Sequence, residues 1–197
     1  MLWTPYFNMA QEGKLIALEG VNETLLEVLV QRLYRWLGER GIAAEHTAEP
    51  TAGPVGAQIV LARQGRLCLD PLSLALYDVA DRMDHMGRAD GVLAWLSQGR
   101  YVLCARYLAF SYACHLAHVD LDWLLKINAR CRVPDLTLFV DTGPDAATTD
   151  LYAHYQEALS ALQRDGQDVV VVDGRGGIDM LFERCCRHIT DLHGEED

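Results

Sequence analysis

The sequence predicts an α/β protein with a five-stranded parallel sheet and helices on both of its faces. Five short apolar runs have the length and composition of buried strands, and a segment with helical periodicity follows each of them. The strands are separated by stretches of a dozen residues or more, which parallel pairing requires because the chain must return to the other end of the sheet. The helices in those stretches then cover both faces.

The predicted strands start directly after the N-terminal leader. The fourth is the clearest, since it is β-branched, aromatic and apolar as far as Asp141. In chain order the strands are Leu15–Leu18, Ile42–Thr47, Tyr101–Cys104, Leu136–Asp141 and Asp168–Val172.

The predicted helices alternate with these strands. The first carries a leucine at every fourth position from Leu25 to Leu37, has Asn22 or Thr24 as its N-cap and closes near Gly41. The others span 55–65, 72–86, 87–98, 109–117, 121–131, 144–164 and 178–192. In the helix 72–86, the apolar residues predicted to face the core are Leu72, Leu76, Val79 and Met83.

Length and charge limit the function classes. A chain of 197 residues fits one domain, for which we predict residues 14–193, with an N-terminal extension 1–13 before it and an acidic tail 194–197 after it. The net charge of −11 argues against a nucleic-acid partner, because such proteins collect cations on one face. No apolar run approaches the ~20 residues of a membrane span, and the leader does not resemble a signal peptide. We therefore expect a cytoplasmic protein with no membrane contact.

The six cysteines are scattered and form no CxxC pair, which favours buried, reduced thiols. Cys114, His115 and His118 on one helix are an alternative metal-ligand set, but no second pair stands at zinc spacing. We therefore expect no metal site.

The turn after the first strand is where α/β proteins hold phosphates. A phosphate-binding loop there needs G-x-x-x-x-G-K-[ST], with glycines that let backbone N–H groups point inward, a lysine for the phosphates and a hydroxyl for magnesium. Counting from Gly20, the second glycine place holds Leu25, the lysine place Leu26 and the hydroxyl place Glu27. We expect a tight, capped helix start here, with Glu27 in the first helical turn, where it suits the helix dipole.

From about Gly13 to Leu192, the order of landmarks resembles the thymidylate kinase family of P-loop nucleoside monophosphate kinases. The family's first strand leads through Glu-Gly and a short loop to Gly-Lys-Thr/Ser, and here Glu19 to Asn22 stand at the first four places. The resemblance implies a three-layer P-loop NTPase-like fold, a homodimer packed through helices such as 72–86 and 109–117, and, in an active member, the use of ATP and Mg.

Further motifs of the family are represented in the same order. Thr47–Pro50 stand for Thr-Arg-Glu-Pro, Leu76–Arg82 for the helix motif Leu-Phe-x-Ala-Asp-Arg, and Ala105–Tyr107 for Asp-Arg-Tyr. Two phosphate contacts of the family are thereby lost, at Ala48 and Ala105. The candidate nucleoside pocket that the resemblance implies consists of Glu49, Tyr77, Arg82, Arg106, Tyr107 and Ser111, with Tyr77 taken as the aromatic residue that stacks on thymine. The lid segment 142–155 has no basic residue except His154, whereas the family has several arginines there.

These observations favour a catalytically inactive thymidylate kinase homologue with no catalytic residues and no cofactor, which acts through a homodimer and an unidentified protein partner. The alternative is a nucleotide-binding sensor or residual dTMP kinase that uses ATP and Mg, with Arg106 as the pocket's cation. A third hypothesis is that a partner chain donates the missing cations.

Overall fold

The computed structural model describes residues 13–194. The predicted extension 1–13 and acidic tail 194–197 therefore lie outside the described residues, apart from Gly13 and Gly194. The five strands are β1 Leu15–Glu19, β2 Ala44–Ala48, β3 Tyr101–Ala105, β4 Leu136–Asp141 and β5 Val169–Asp173. The helices are α1 Glu23–Glu39, α2 Pro54–Arg63, α3 Pro71–Gly87, α4 Val92–Ser97, α5 Leu108–His115, α6 Leu121–Asn128, α7 Thr149–Arg164 and α8 Ile178–Gly194.

The predicted fold class is confirmed. All neighbouring strands pair in parallel, in the order β2-β3-β1-β4-β5. β1 is thus the central strand, flanked by β3 and β4. Because the strands are parallel, their carboxyl ends share one edge of the sheet, which is where ligands bind in open α/β folds.

Two apolar cores fill the layers on either side of the sheet. On one face, α1 and α8 pack around Leu29, Leu33 and Leu181. On the other face, α4, α5, α6 and α7 pack around Tyr112 and Tyr155. The strands contribute to both cores because their side chains alternate between the faces.

The prediction for the face of α3 was wrong. Leu72 and Leu76 are each 49% exposed, Met83 is 41% exposed, and Val79 is only half-buried. The opposite face is buried although it carries four ionisable side chains: Asp78, Asp81, Arg82 and His85. Apolar periodicity located the stripe correctly, but buried ion pairs on the other side of the helix decided which face turns inward.

Three predicted helix boundaries also move. α4 starts at Val92 instead of Gly87, because the chain turns at Gly91, where a Cβ would lie 2.2 Å from the carbonyl oxygen of His85. α6 ends at Asn128, whose side-chain amide donates back to Leu124 O. α7 starts at Thr149, after a turn in which the Asp145 carboxylate accepts the backbone N–H of Thr148.

No helix within residues 13–194 has the length and apolar character needed to cross a membrane.

Candidate functional site

The corner after β1 is the start of a helix instead of an open loop. Asn22 is the N-cap of α1, and its side-chain oxygen accepts the N–H of Leu25 at 3.0 Å. The backbone oxygen of Asn22 accepts the N–H of Leu26 at 3.1 Å. The amides at the second glycine place and the lysine place are therefore bonded within the chain and do not point into a phosphate cradle.

Two of the side chains at the second glycine, lysine and hydroxyl places pack in the core and stabilise the start of α1. Leu26 is buried under Gly20, whose absent Cβ would lie 3.0 Å from a carbonyl oxygen of β4 and 3.7 Å from Leu26. Leu25 packs against the same core. The predicted position of Glu27 was wrong: Glu23 is the acidic residue of the first turn, and Glu27 is exposed one turn later. The helix begins directly after Asn22, one of the two predicted N-caps, so residues 23 and 24 already belong to it.

The Glu19 carboxylate joins the end of β1 to the start of α5. It is fully buried and accepts the backbone N–H groups of Tyr107 at 2.9 Å, Ala109 at 3.0 Å and Phe110 at 3.2 Å. It also accepts the hydroxyl of Tyr155 at 3.2 Å. Burial raises the pKa of Glu19 from 4.5 to about 7, and the hydrogen bonds lower it only in part.

Arg106, the proposed cation of the nucleoside pocket, is turned towards the α1 corner. Its guanidinium donates to Glu23 Oε1 at 2.6 Å and lies 4.9 Å from the ring centre of Phe110. Its backbone has φ +61°, an unusual value for a non-glycine residue. Ala105, just before it, is buried and offers no oxygen ligand.

Arg82 is held in a fully buried polar network. Its Nε donates to Glu49 Oε2 at 2.8 Å, its Nη1 donates to Asn128 Oδ1, and its Nη2 donates to Tyr107 O at 3.4 Å. Burial by itself would lower the pKa of Arg82, but the negative charge of Glu49 and the other ionisable groups around the guanidinium together raise the pKa above its usual range. The structure therefore brings Glu49, Arg82 and Tyr107 together. The guanidinium N–H groups of Arg82 are bonded to groups of the protein and do not face a ligand cavity.

The same network ties the loop after β2 to α3. The second oxygen of Glu49 lies 3.3 Å from His85 Nδ1, and His85 Nε2 lies 2.8 Å from Thr47 Oγ1. Asp81 accepts both the N–H and the hydroxyl of Thr51, at 2.7 and 2.6 Å. The side chains of α3 thus fix the position of this loop.

Tyr77 does not belong to the pocket. The six-residue family motif, counted back from Arg82, places its aromatic residue at Asp78, and Asp78 is the residue whose side chain points inward. Asp78 accepts from His115 Nε2 at 2.7 Å and from Arg63 Nη2 at 2.8 Å. Burial would raise the pKa of Asp78, but the hydrogen bond from His115 and the charge of Arg63 lower it below its usual range.

This cluster closes the cavity in which the resemblance places a nucleoside. Ser111 Oγ lies 3.5 Å from Asp78 Oδ2, and the guanidinium of Arg63 lies over the Phe110 ring at 4.8 Å. The remaining free volume is about 10 Å³, lined by Glu49, Pro50, Arg63, Asp78, Asp81, Arg82, Tyr107, Phe110 and Ser111. A single water needs about 10–15 Å³, so a nucleobase does not fit.

Sequence reasoning did not place Arg63, Asp78, His115 or Asn128 in this network. A carboxylate on the buried face of a helix requires a buried partner, because an unpaired buried carboxylate is costly. The sequence does not identify the partner, since Arg63 and His115 lie 15 and 37 positions away. The alternative ligand set Cys114, His115 and His118 is also absent: within residues 13–194 no group of three potential metal ligands is present, and His115 binds Asp78.

A wider groove lies between α1 and β2 and includes Ala48 and Ala105. Its volume is about 600 Å³. Its lining residues are Glu27, Val28, Val30, Gln31, Arg32, Arg35, His46, Thr47, Ala48 and Ala105.

Comparisons with known proteins agree with this architecture. The family model for thymidylate kinase matches residues 18–168. A Pyrococcus horikoshii protein named "Probable thymidylate kinase" is 30% identical over 135 residues, which span 66% of this chain and 65% of that protein. The thymidylate kinase of Carboxydothermus hydrogenoformans is 26% identical over 92% of this chain and 99% of its own length. The solved structure of thymidylate kinase from Candida albicans superposes with a TM-score of 0.73 at 20% identity and covers 94% of each chain.

The parallel sheet with order β2-β3-β1-β4-β5 and the helix start after its central strand define a P-loop NTPase-like α/β protein. Within that class, the chain belongs to the thymidylate kinase family.

Proposed function

We propose that this chain is a catalytically inactive member of the thymidylate kinase family that acts through protein–protein contact. The observation that carries the proposal is the state of the α1 corner, where the N–H groups of Leu25 and Leu26 are bonded to Asn22. A phosphate at this position would have to break the first turn of a helix whose side chains belong to the core.

Charge supports the same conclusion. Phosphoryl transfer depends on positioning and charge neutralisation, so that one missing cation costs ~10³–10⁵ in rate by analogy with arginine fingers. Leu26 and Ala48 replace two cations, and Glu27 and Ala105 replace the hydroxyl and carboxylate that would hold magnesium. The residues present do not fit an ATP–Mg complex, and we derive no reaction step through one.

The cavity in which the family resemblance places the nucleoside that accepts the phosphate is closed as well. Arg63 and Asp78 fill the place of the base, and Arg82 is bonded to Glu49 and Asn128. Binding a nucleoside there would require separating a buried ion pair, and breaking such a pair costs about 3–5 kcal/mol.

The partner surface that we propose is the exposed stripe on α3, formed by Leu72, Leu76, Val79 and Met83. Contiguous apolar patches of this kind mark interaction sites. A second copy of the chain covers it in the proposed homodimer. The other helix predicted for that contact, α5, is mostly buried within one chain and packs against α7, so the proposed contact rests on α3.

The proposal is tested by titrating the purified chain with ATP and with dTMP, each with and without magnesium, in a calorimeter, and by following dTDP formation with ³¹P NMR. The thymidylate kinase of Carboxydothermus hydrogenoformans serves as the positive control. We expect neither binding nor turnover, and micromolar ATP binding with turnover overturns the proposal.

The second candidate function is a nucleotide-binding sensor or a residual dTMP kinase using ATP and Mg. The observation in its favour is that two guanidinium groups, those of Arg63 and Arg106, flank the Phe110 ring beside the closed cavity. A thermal-shift panel of nucleosides and nucleotides separates the two functions. Stabilisation by dTMP that is lost in Arg106→Gln supports the sensor, and no shift with any nucleotide counts against it.

A further inference from the structure

The groove between α1 and β2 combines an apolar floor with polar groups at its ends and side. Val30 is buried, Val28 is 45% exposed, and Ala48 and Ala105 close the end near the sheet edge. These last two side chains are methyl groups, which add apolar surface to the floor at that end. A concave, largely apolar surface with a few convergent polar groups is the usual form of a small-molecule site.

One end of the groove is cationic. Arg32 and Arg35 line it from successive turns of α1. Arg32 is bonded to Asp179 at 2.6 Å and lies over the Phe182 ring at 4.7 Å, so its charge is paired and its position is fixed. Arg35 is exposed and has no acidic partner within residues 13–194. The guanidinium of Arg35 is therefore available to an anion, in a chain whose net charge is −11.

The imidazole of His46 is held in place at the side of the groove. The amide of Gln31 lies 3.3 and 3.4 Å from its two ring nitrogens, and the ring of Tyr34 meets it edge-on at a centroid distance of 4.9 Å. These contacts give the groove a flat, pre-oriented polar wall. The titratable groups that line the groove are Glu27, Arg32, Arg35 and His46.

Glu27 limits the kind of anion that fits. Arg35 follows Glu27 by eight positions, or about 12 Å of helix, so the acidic and the cationic group stand at opposite ends of the groove. A ligand with a single negative charge satisfies Arg35 without a second charge facing Glu27. The planar fork of arginine also matches a carboxylate with two parallel hydrogen bonds.

We propose that the groove between α1 and β2 binds a small organic monocarboxylate, with its acid group on Arg35 and its flat apolar body on Val28, Val30, Ala48 and Ala105. This site is separate from the closed nucleoside cavity and does not rest on the proposed function. It faces the opposite layer of the sheet, on the side of α1.

Three isosteric probes test the site on the full chain by ¹⁵N–¹H NMR titration: 3-phenylpropanoate, 3-phenylpropan-1-ol and 3-phenylpropylamine. We expect saturable shifts at groove amides with the carboxylate, at a Kd below about 1 mM, and binding at least about tenfold weaker for the alcohol and the amine. Equal binding of all three probes, or no saturable shift with the carboxylate, overturns the proposal.

Variants assign the effect to the groove. Arg35→Gln removes the charge from an exposed side chain and is expected to weaken carboxylate binding at least about tenfold, the range of a lost charge-assisted contact. Ala48→Leu fills the floor and is expected to abolish binding, with the NMR spectrum showing that the fold is kept. Arg130→Gln, an exposed arginine outside the groove, is the matched control and is expected to bind as the wild type does. Unchanged binding in Arg35→Gln overturns the proposal even if Ala48→Leu fails to fold.

Discussion

The side-chain oxygen of Asn22 accepts the backbone N–H of Leu25 at 3.0 Å. Phosphate-binding loops have a glycine at the position that Leu25 occupies here. The hydrogen bond instead holds Leu25 in the first turn of α1. Asn22→Ala is expected to lower the free energy of unfolding by about 1 kcal/mol, the usual cost of losing an N-cap. Urea denaturation followed by circular dichroism measures it.

Thr24→Ala is the matched control for this change. Thr24 is exposed in the same turn, and its loss is expected to change the free energy of unfolding by less than about 0.5 kcal/mol. If the two variants are equally stable, the corner is not held by the Asn22 cap.

Arg82 is expected to be structural, since its donors are bonded to Glu49, Asn128 and Tyr107 inside the protein. Arg82→Met leaves the Glu49 carboxylate buried without this partner, which costs about 3–5 kcal/mol of stability. The double variant Arg82→Met with Glu49→Gln is expected to lose less than the sum of the two single changes, because it removes both members of the pair. Chemical denaturation gives the four free energies of this cycle.

Arg130→Met provides the comparison for Arg82, because Arg130 is exposed. Its effect on the free energy of unfolding is expected to stay within about 0.5 kcal/mol.

Additive losses in the Arg82–Glu49 cycle would show that the two side chains are not coupled.

Glu19 makes stability depend on pH. Burial raises its pKa from 4.5 to about 7, so the folded protein holds this proton more tightly than the unfolded chain does. The resulting stabilisation is fully present below about pH 4.5 and is lost as the pH rises through about 7. This difference in pKa between the folded and unfolded chain corresponds to at most about 3 kcal/mol.

Free energies of unfolding measured from pH 5 to pH 8 test this slope, and Glu19→Gln is expected to flatten it. Asp78 has the opposite effect on stability, because its pKa in the folded protein is lowered from 3.8. Its stabilising contribution is present above about pH 3.8 and is lost as the pH falls through the lowered pKa. The two carboxyl groups are therefore separable. If the slope is unchanged in Glu19→Gln, another group causes the pH dependence of stability.

The fold was largely predictable from sequence because strand runs such as Leu136–Asp141 are apolar throughout and helix starts carry caps. Asn22, one of the two predicted N-caps, caps α1, and Asp70 caps α3 directly before Pro71. Local hydrogen-bonding rules therefore fixed the boundaries to within a few residues in most elements. The exceptions, such as α7, begin where a side-chain-capped turn delays the helix.

The candidate site was less predictable, because its character depends on pairings between distant residues. Whether Arg82 faces a ligand or a buried glutamate is decided by the contact with Glu49, 33 positions earlier. The inward direction of α3 has the same origin. Asp78 is paired with Arg63 and His115, and Arg82 is paired with Glu49. The charged face is therefore buried, and Leu72 and Leu76 stay outside. Hydrophobic periodicity contains no information on such pairs.

The exposed stripe of α3 makes a prediction about assembly. If a second copy covers it, Leu76→Glu places a charge at the centre of an apolar contact and is expected to shift the protein from dimer to monomer, with the far-UV circular dichroism unchanged. Light scattering coupled to size exclusion, across a wide concentration range, measures the mass. Leu93→Glu is the matched control, because Leu93 is 45% exposed, close to the 49% of Leu76, but lies on α4, outside the stripe. If Leu76→Glu remains a dimer, or if the wild type is monomeric at every concentration, a second copy of the chain does not cover the stripe.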